Sequence, residues 1–228
     1  MAQIERISEL TTRTAEEAEA NYVEKMGDAL GTQFTALWLE VEILNAAWGE
    51  YVELFTEPDS VEVLNQTAPA LFRIIQVFLW EHMLRRIARL TDPPASGKGK
   101  ENLTILNLPG PVEDRGDKAK LDELVNTAMS KTEFCRDWRK RHIAHRDLGL
   151  LMNESAKPLE EANGIKVRDA LSAIENVLIE VSWHYMGDNL FFSRNVGGAG
   201  NALSLLRLLQ DGLRARAIAA ATTALSSP

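Results

Sequence analysis

FTALWLEVEILNAAWGEYVELF, residues 34–55, is the stretch on which the fold turns. Phe34, Leu37, Val41, Leu44, Trp48, Val52 and Phe55 step by three or four residues throughout. That spacing puts them on one face of a long amphipathic helix. Gly49 weakens the helix without needing to end it. Upstream, residues 5–26 are polar with weak helical spacing, which predicts a helix packed through a narrow stripe.

Downstream, Glu57-Pro58-Asp59-Ser60 breaks the chain. Asp59, three residues before Glu62, predicts a capping pair for a new helix. That helix runs through Leu64, Leu71, Ile74, Ile75, Phe78 and Leu90, with Pro69 either kinking it or starting its second part. Apolar residues on two sides after Pro69 predict the central, most buried helix. It stops at Asp92-Pro93-Pro94. A short helix or an extended apolar plug is expected at 102–108. A helical hairpin carries Leu121, Leu124, Val125 and Ala128, then Phe134, Cys135 and Trp138. After a loop from Gly149 to Gly164, Val167, Leu171, Ile174, Leu178, Val181 and Tyr185 mark a strong helix. A loop from Gly187 to Gly200 leads to a last short helix from Ala202 to Leu213, with residues 214–228 expected to fray. No stretch alternates as a strand would, and no repeat recurs. The expectation is an all-α helical bundle of about five to seven helices, forming a single domain over 1–228.

Composition narrows the function. The hydrophobic content of 45% suits a globular core. Cys135 is the only cysteine, so no intrachain disulfide or cysteine-based zinc site forms. The N-terminus lacks the pattern of a signal peptide. The apolar run from Ala68 to Trp80, interrupted by Arg73 and Gln76, falls short of the roughly 18 residues of a membrane span. A cytoplasmic protein without a membrane partner is expected. The net charge of −8 means that any nucleic acid must meet a local basic patch.

One such patch exists. From Lys131 to Arg146 there are six Lys or Arg residues against Glu133 and Asp137, a local charge of +4. A charge run is ordinarily a solvated face, but this one holds His142 and His145. Both lie on nearly the same helical face as Trp138, which belongs on the buried side, so the histidines are expected at an interface or cleft. A guanidinium binds phosphate bidentately, and an imidazole moves protons near neutral pH. Together they suffice for RNA cleavage without metal. A base takes the 2′-hydroxyl proton, the oxygen attacks phosphorus, and Arg stabilises the phosphate charge. No metal cluster or cofactor motif is visible. The glycines at 197, 198 and 200 fit no phosphate loop. Trp38, Trp48 and Trp80 fit a core, and His82 and His184 fit hydrogen-bonded structural roles.

Trp138-Arg139-Lys140-Arg141-His142-Ile143-Ala144-His145-Arg146-Asp147 resembles the signature of HEPN domains, in particular the AbiU-like abortive-infection branch. The motif is an Arg, four to six residues, then a His, and Arg139 and His145 match with five between. Arg89-Leu90-Thr91-Asp92 resembles a second block of that branch. The likeness spans about residues 34–209. It implies a helical bundle, often a homodimer, and a metal-independent ribonuclease of a toxin–antitoxin or phage-defence system, with an antitoxin protein as a further partner. Arg139 and His145 would then be catalytic. Lys140, Arg141, His142 and Arg146 would contact substrate, with Asp92 and Asp147 as orienting groups. Asp92 also fits a simple cap beside Pro93.

Lys140 stands where active members carry Asn, Asp or His. It implies either a substitute phosphate contact or a non-catalytic module that binds RNA or a protein. A third alternative is a dimeric helical protein whose basic segment serves only its own interface. Residues six apart on a regular helix point about 120° away from each other. Arg139 and His145 therefore converge only if the helix ends between them or two subunits share a site. Arg141, four residues before His145, remains a rival for the phosphate.

Overall fold

The computed structural model describes residues 16–95, 97, 99–112, 115–143, 158–187, 190, 192 and 200–225. Among them are eight α-helices: α1 (16–26), α2 (Asp28–Phe55), α3 (Pro58–Thr67), α4 (Pro69–Leu90), α5 (Arg115–Lys131), α6 (Glu133–Trp138), α7 (Gly164–Met186) and α8 (Ala202–Leu225). A 3-10 turn covers Ile105–Asn107, and a π-helical turn covers Arg139–Ile143. An isolated bridge between Ala95 and Glu101 is the sole β pairing among the described residues. The all-α expectation holds, with one helix more than the upper count. No helix among the described residues is long and apolar enough to cross a membrane.

The chain forms two compact units. One comprises residues 1–44 and 84–192, the other 45–83 and 193–228.

In the first unit, Gly27 takes a left-handed conformation (φ 79°) and turns the chain between α1 and α2. Phe34, Leu37, Val41 and Leu44 of α2 are all buried, as the spacing predicts. Tyr22 of α1 packs edge-on against Phe34, with ring centroids 4.8 Å apart. Helix α5 lies along α7, which buries Val167, Leu171, Ile174, Leu178 and Val181. Each such side chain contributes about 1.5–3 kcal/mol of burial. Asn163 caps α7, its side chain accepting from the Lys166 N–H at 3.0 Å, and Gly187 (φ 68°) ends it. Arg86 and Arg89 of α4 both grip Glu40 of α2, at 2.5 and 2.8 Å.

In the second unit, Leu54 of α2, Val63 and Leu64 of α3, Phe72 of α4, and Ala202 and Leu206 of α8 form the core. Glu50 accepts the Ala202 N–H, satisfying an orphan donor at the start of α8. Sequence expectations change at three points here, but Pro69 matches one of its two alternatives: it starts a second helix and does not kink a long one. A residue before proline is steered from helical geometry, and Ala68 sits at φ −147°, ψ 65°. Asp59 is no cap: Pro58, with no N–H to lose, takes the first helical position, and extended Glu57 precedes it. The first half of α4 is not buried all round. Phe72 and Ile75 meet the core, whereas Leu71 (55%), Ile74 (51%) and Phe78 (67%) are exposed. The second half, in the first unit, is buried through Leu84, Ile87, Ala88 and Leu90. Helix α8 also continues to Leu225, past Leu213, because its Ala-rich end retains good helix formers.

Candidate functional site

The two sequence blocks singled out above meet in the first unit. Helix α4 ends because Pro93 and Pro94 cannot continue it. Its last carbonyls are satisfied locally: Thr91 and Asp92 donate their N–H groups to Ala88 and Arg89, and the Thr104 hydroxyl donates to Leu90 O at 2.9 Å. The chain thereby presents a fixed Thr91–Asp92 turn, with Thr91 fully buried.

Facing it is the motif segment. Thr132 interrupts α5, and α6 begins one residue later. Helix α6 buries Phe134 and Cys135, and burial pushes the Cys135 thiol pKa well up. Arg136 and Arg139, three apart, then lie on one face. Arg136 Nη1 donates to the hydroxyls of Thr91 and Thr132, each at 2.8 Å, and Nη2 donates to Met129 O at 2.6 Å. Arg139 meets Asp92 in a bidentate pair, Nη1 to Oδ2 and Nη2 to Oδ1, both at 2.7 Å. The hydrogen bonds that Arg139 donates to Asp92 raise its pKa above the ordinary value, with burial opposing, so the guanidinium stays charged. Its side chain remains 30% exposed.

From Arg139 the helix widens into the π-helical turn that carries Lys140, Arg141, His142 and Ile143. Such turns re-aim side chains relative to a regular helix and recur at functional sites. Lys140 is exposed and has no partner among the described residues. Arg141 is engaged, at 3.4 Å from both Asp137 oxygens and 3.3 Å from Pro158 O. Asp137 also accepts the Glu160 N–H at 3.0 Å, and the Trp138 indole donates to Glu160 O at 2.7 Å. The chain at 158–160 is thus strapped onto α6, and Lys166 holds the Glu160 carboxylate at 3.1 Å. His142 stacks edge-on against Trp138, with centroids 5.2 Å apart, as their spacing predicts.

His145, Arg146 and Asp147 lie outside the described residues, as does most of the loop beginning at Gly149. Asp92, considered above as an orienting group or a cap, holds Arg139. The basic patch is also weaker than its count suggests. Lys131 pairs with Asp169 at 3.1 Å, Arg139 with Asp92 and Arg141 with Asp137. Arg136, Thr91 and Thr132 were not singled out from sequence, although the three-residue step from Arg136 to Arg139 was legible there. His184 has its structural partner, Asp117, at 2.7 Å. A cavity of about 320 Å³ beside Phe72 and Arg73 belongs to the second unit and holds no motif residue. Among the described residues, no three His, Cys, Asp or Glu side chains gather as metal ligands.

Both blocks fall within residues 27–201, which the family model HEPN_AbiU2 (AbiU2) matches. The chain belongs to the AbiU2 family of HEPN domains. No curated protein and no solved structure matches it. Within the AbiU2 span lie the motif Arg139, the Asp92 that holds it, and the half-buried Arg136 between α5 and the π-helical turn.

Proposed function

We propose that this AbiU2-family chain is a metal-independent endoribonuclease of a toxin–antitoxin or phage-defence system. The observation that carries the proposal is Arg139 itself. It is the Arg of the HEPN motif, part-exposed and permanently charged. Asp92 takes one hydrogen from each Nη, leaving Nε–H and one N–H on each Nη for other acceptors. In this role Arg139 binds the scissile phosphate. His145 takes the 2′-hydroxyl proton, the 2′-oxygen attacks phosphorus, and the P–O5′ bond breaks as the 5′-oxygen takes a proton from water. The products are a 2′,3′-cyclic phosphate and a 5′-hydroxyl end. Lys140, exposed beside Arg139, adds a phosphate contact, and His142 and Arg146 extend the substrate surface. Asp147 serves as a second orienting carboxylate. The active form is a homodimer, in which motifs from two chains complete each other, held in check by an antitoxin protein.

Lys140 also favours a second role, a non-catalytic HEPN module that binds RNA or a protein partner. The neutralised patch agrees with weak, salt-sensitive RNA binding.

The test is cleavage of a broad RNA pool in excess EDTA by wild type, Arg139→Ala and His145→Ala. Cleavage lost in both variants, with cyclic phosphate ends in wild type, is the expected result. A folded wild type that cleaves nothing rejects the ribonuclease in favour of the binding module.

A further inference from the structure

We propose that Arg136, outside the Arg–His motif, is a positioning residue that sets Arg139 for a phosphate by way of the Thr91–Asp92 turn. Its identity as part of an RNA-cleaving site rests on the function proposed above; its action on Arg139 does not.

The charges around this turn do not balance. Among the described residues no carboxylate pairs with Arg136; its partners are two hydroxyls, one carbonyl and, at 4.0 Å, the Met129 sulfur, all neutral. A guanidinium does not lose its proton in a protein. Beside it, Asp92 cancels the charge of Arg139 alone. Arg136, Asp92 and Arg139 together therefore retain one positive charge, enough to meet one phosphodiester.

Thr91 and Thr132 are both fully buried, and their hydroxyls lie 3.0 Å apart. Half-buried Arg136 bridges them, so the end of α4 and the start of α6 are joined through two buried hydroxyls. The next residue after Thr91 is Asp92, whose two oxygens hold both Nη atoms of Arg139. Fixing Thr91 limits where the Asp92 carboxylate can go, and that carboxylate fixes the plane of the Arg139 guanidinium. The edge made by Nε–H and an outer Nη–H is left for phosphate oxygens. A neutral residue at 136 would fill space, but it would not tie the Thr91 hydroxyl and leave the site positive.

The experiment reads the Arg139 side chain directly in the full-length protein. Its Nε–H and Nη signals are assigned by their loss in Arg139→Lys and followed by NMR in wild type, Thr91→Val, Thr91→Ser and Arg136→Lys. Wild type is expected to show hindered Nη rotation, because both Nη atoms are held. Thr91→Val and Arg136→Lys release it, and Thr91→Ser, which keeps the hydroxyl, retains it. Wild-type Arg139 signals in folded Thr91→Val and Arg136→Lys overturn the proposal. In the cleavage assay, Thr91→Val lowers the rate about tenfold or more, whereas Thr91→Ser, which keeps the hydroxyl, stays near the wild-type rate. A folded Thr91→Ser that loses as much rate as Thr91→Val overturns it. If wild type neither binds nor cleaves RNA, the ribonuclease proposal fails, and the NMR signals alone still decide the role of Arg136.

Discussion

Gly31→Ala sets two physical effects against each other, and the structure decides which wins. Gly31 lies in the first turns of α2, against α1. A Cβ placed there would stand 2.6 Å from both Cα and N of Val23 and 2.8 Å from Tyr22 C. Ordinary contact begins near 3.4 Å, so the shortfall is about 0.8 Å. All three atoms are backbone, so no flexible side chain can swing away. Tyr22 is also held by the edge-on contact of its ring with Phe34. Helix propensity alone favours Ala by about 1 kcal/mol. Overpacking costs about 1–3 kcal/mol, and a backbone clash belongs at the upper end. Gly31→Ala is therefore expected to lose about 1–2 kcal/mol net. Gly212→Ala in α8 is the control, because nothing lies within 4 Å of its added Cβ. It should gain about 0.5–1 kcal/mol. Urea unfolding followed by circular dichroism measures both, read as midpoint shifts at unchanged slope. A Gly31→Ala midpoint at or above wild type would refute the close approach of α1 and α2.

Phe34→Ala, at a fully buried position, should cost about 3–5 kcal/mol. Phe78→Ala, at a position 67% exposed, should change stability by no more than about 0.5 kcal/mol; equal urea midpoints for the two would contradict the assignment of inside and outside. Cys135 is buried with its thiol pKa raised, so it stays protonated above the ordinary value of 9.0. A thiol-specific reagent under mildly alkaline native conditions should label it only as fast as the protein opens, and prompt stoichiometric labelling would show the site to be accessible. The linkage has the same sign: stability from the buried neutral thiol is complete below pH 9.0 and declines as pH rises through the folded value.

The helices were legible because their signals are local. A face such as Phe34, Leu37, Val41 and Leu44 repeats every three or four residues, and only a helix brings such residues together. The end of α4 was equally plain, because proline lacks the N–H that a helix needs. Apolar character does not say which side of a helix will be covered, so Leu71, Ile74 and Phe78 looked like core and lie exposed. The tail of α8 misled for the opposite reason: its small residues suggested fraying, yet they suit a helix.

By itself, the sequence determined that the chain is all-helical, where most helices break, and that Arg139 stands in a HEPN-type motif within an otherwise acidic protein. It also placed Trp138 beside His142, since four residues make one helical turn. Only the tertiary structure decided what Arg139 touches. Its partner Asp92 lies 47 positions earlier, and Thr91 lies 45 positions before Arg136. Periodicity reports the face of a single helix. A pairing across two helices depends on how their cores pack, and no local spacing records it.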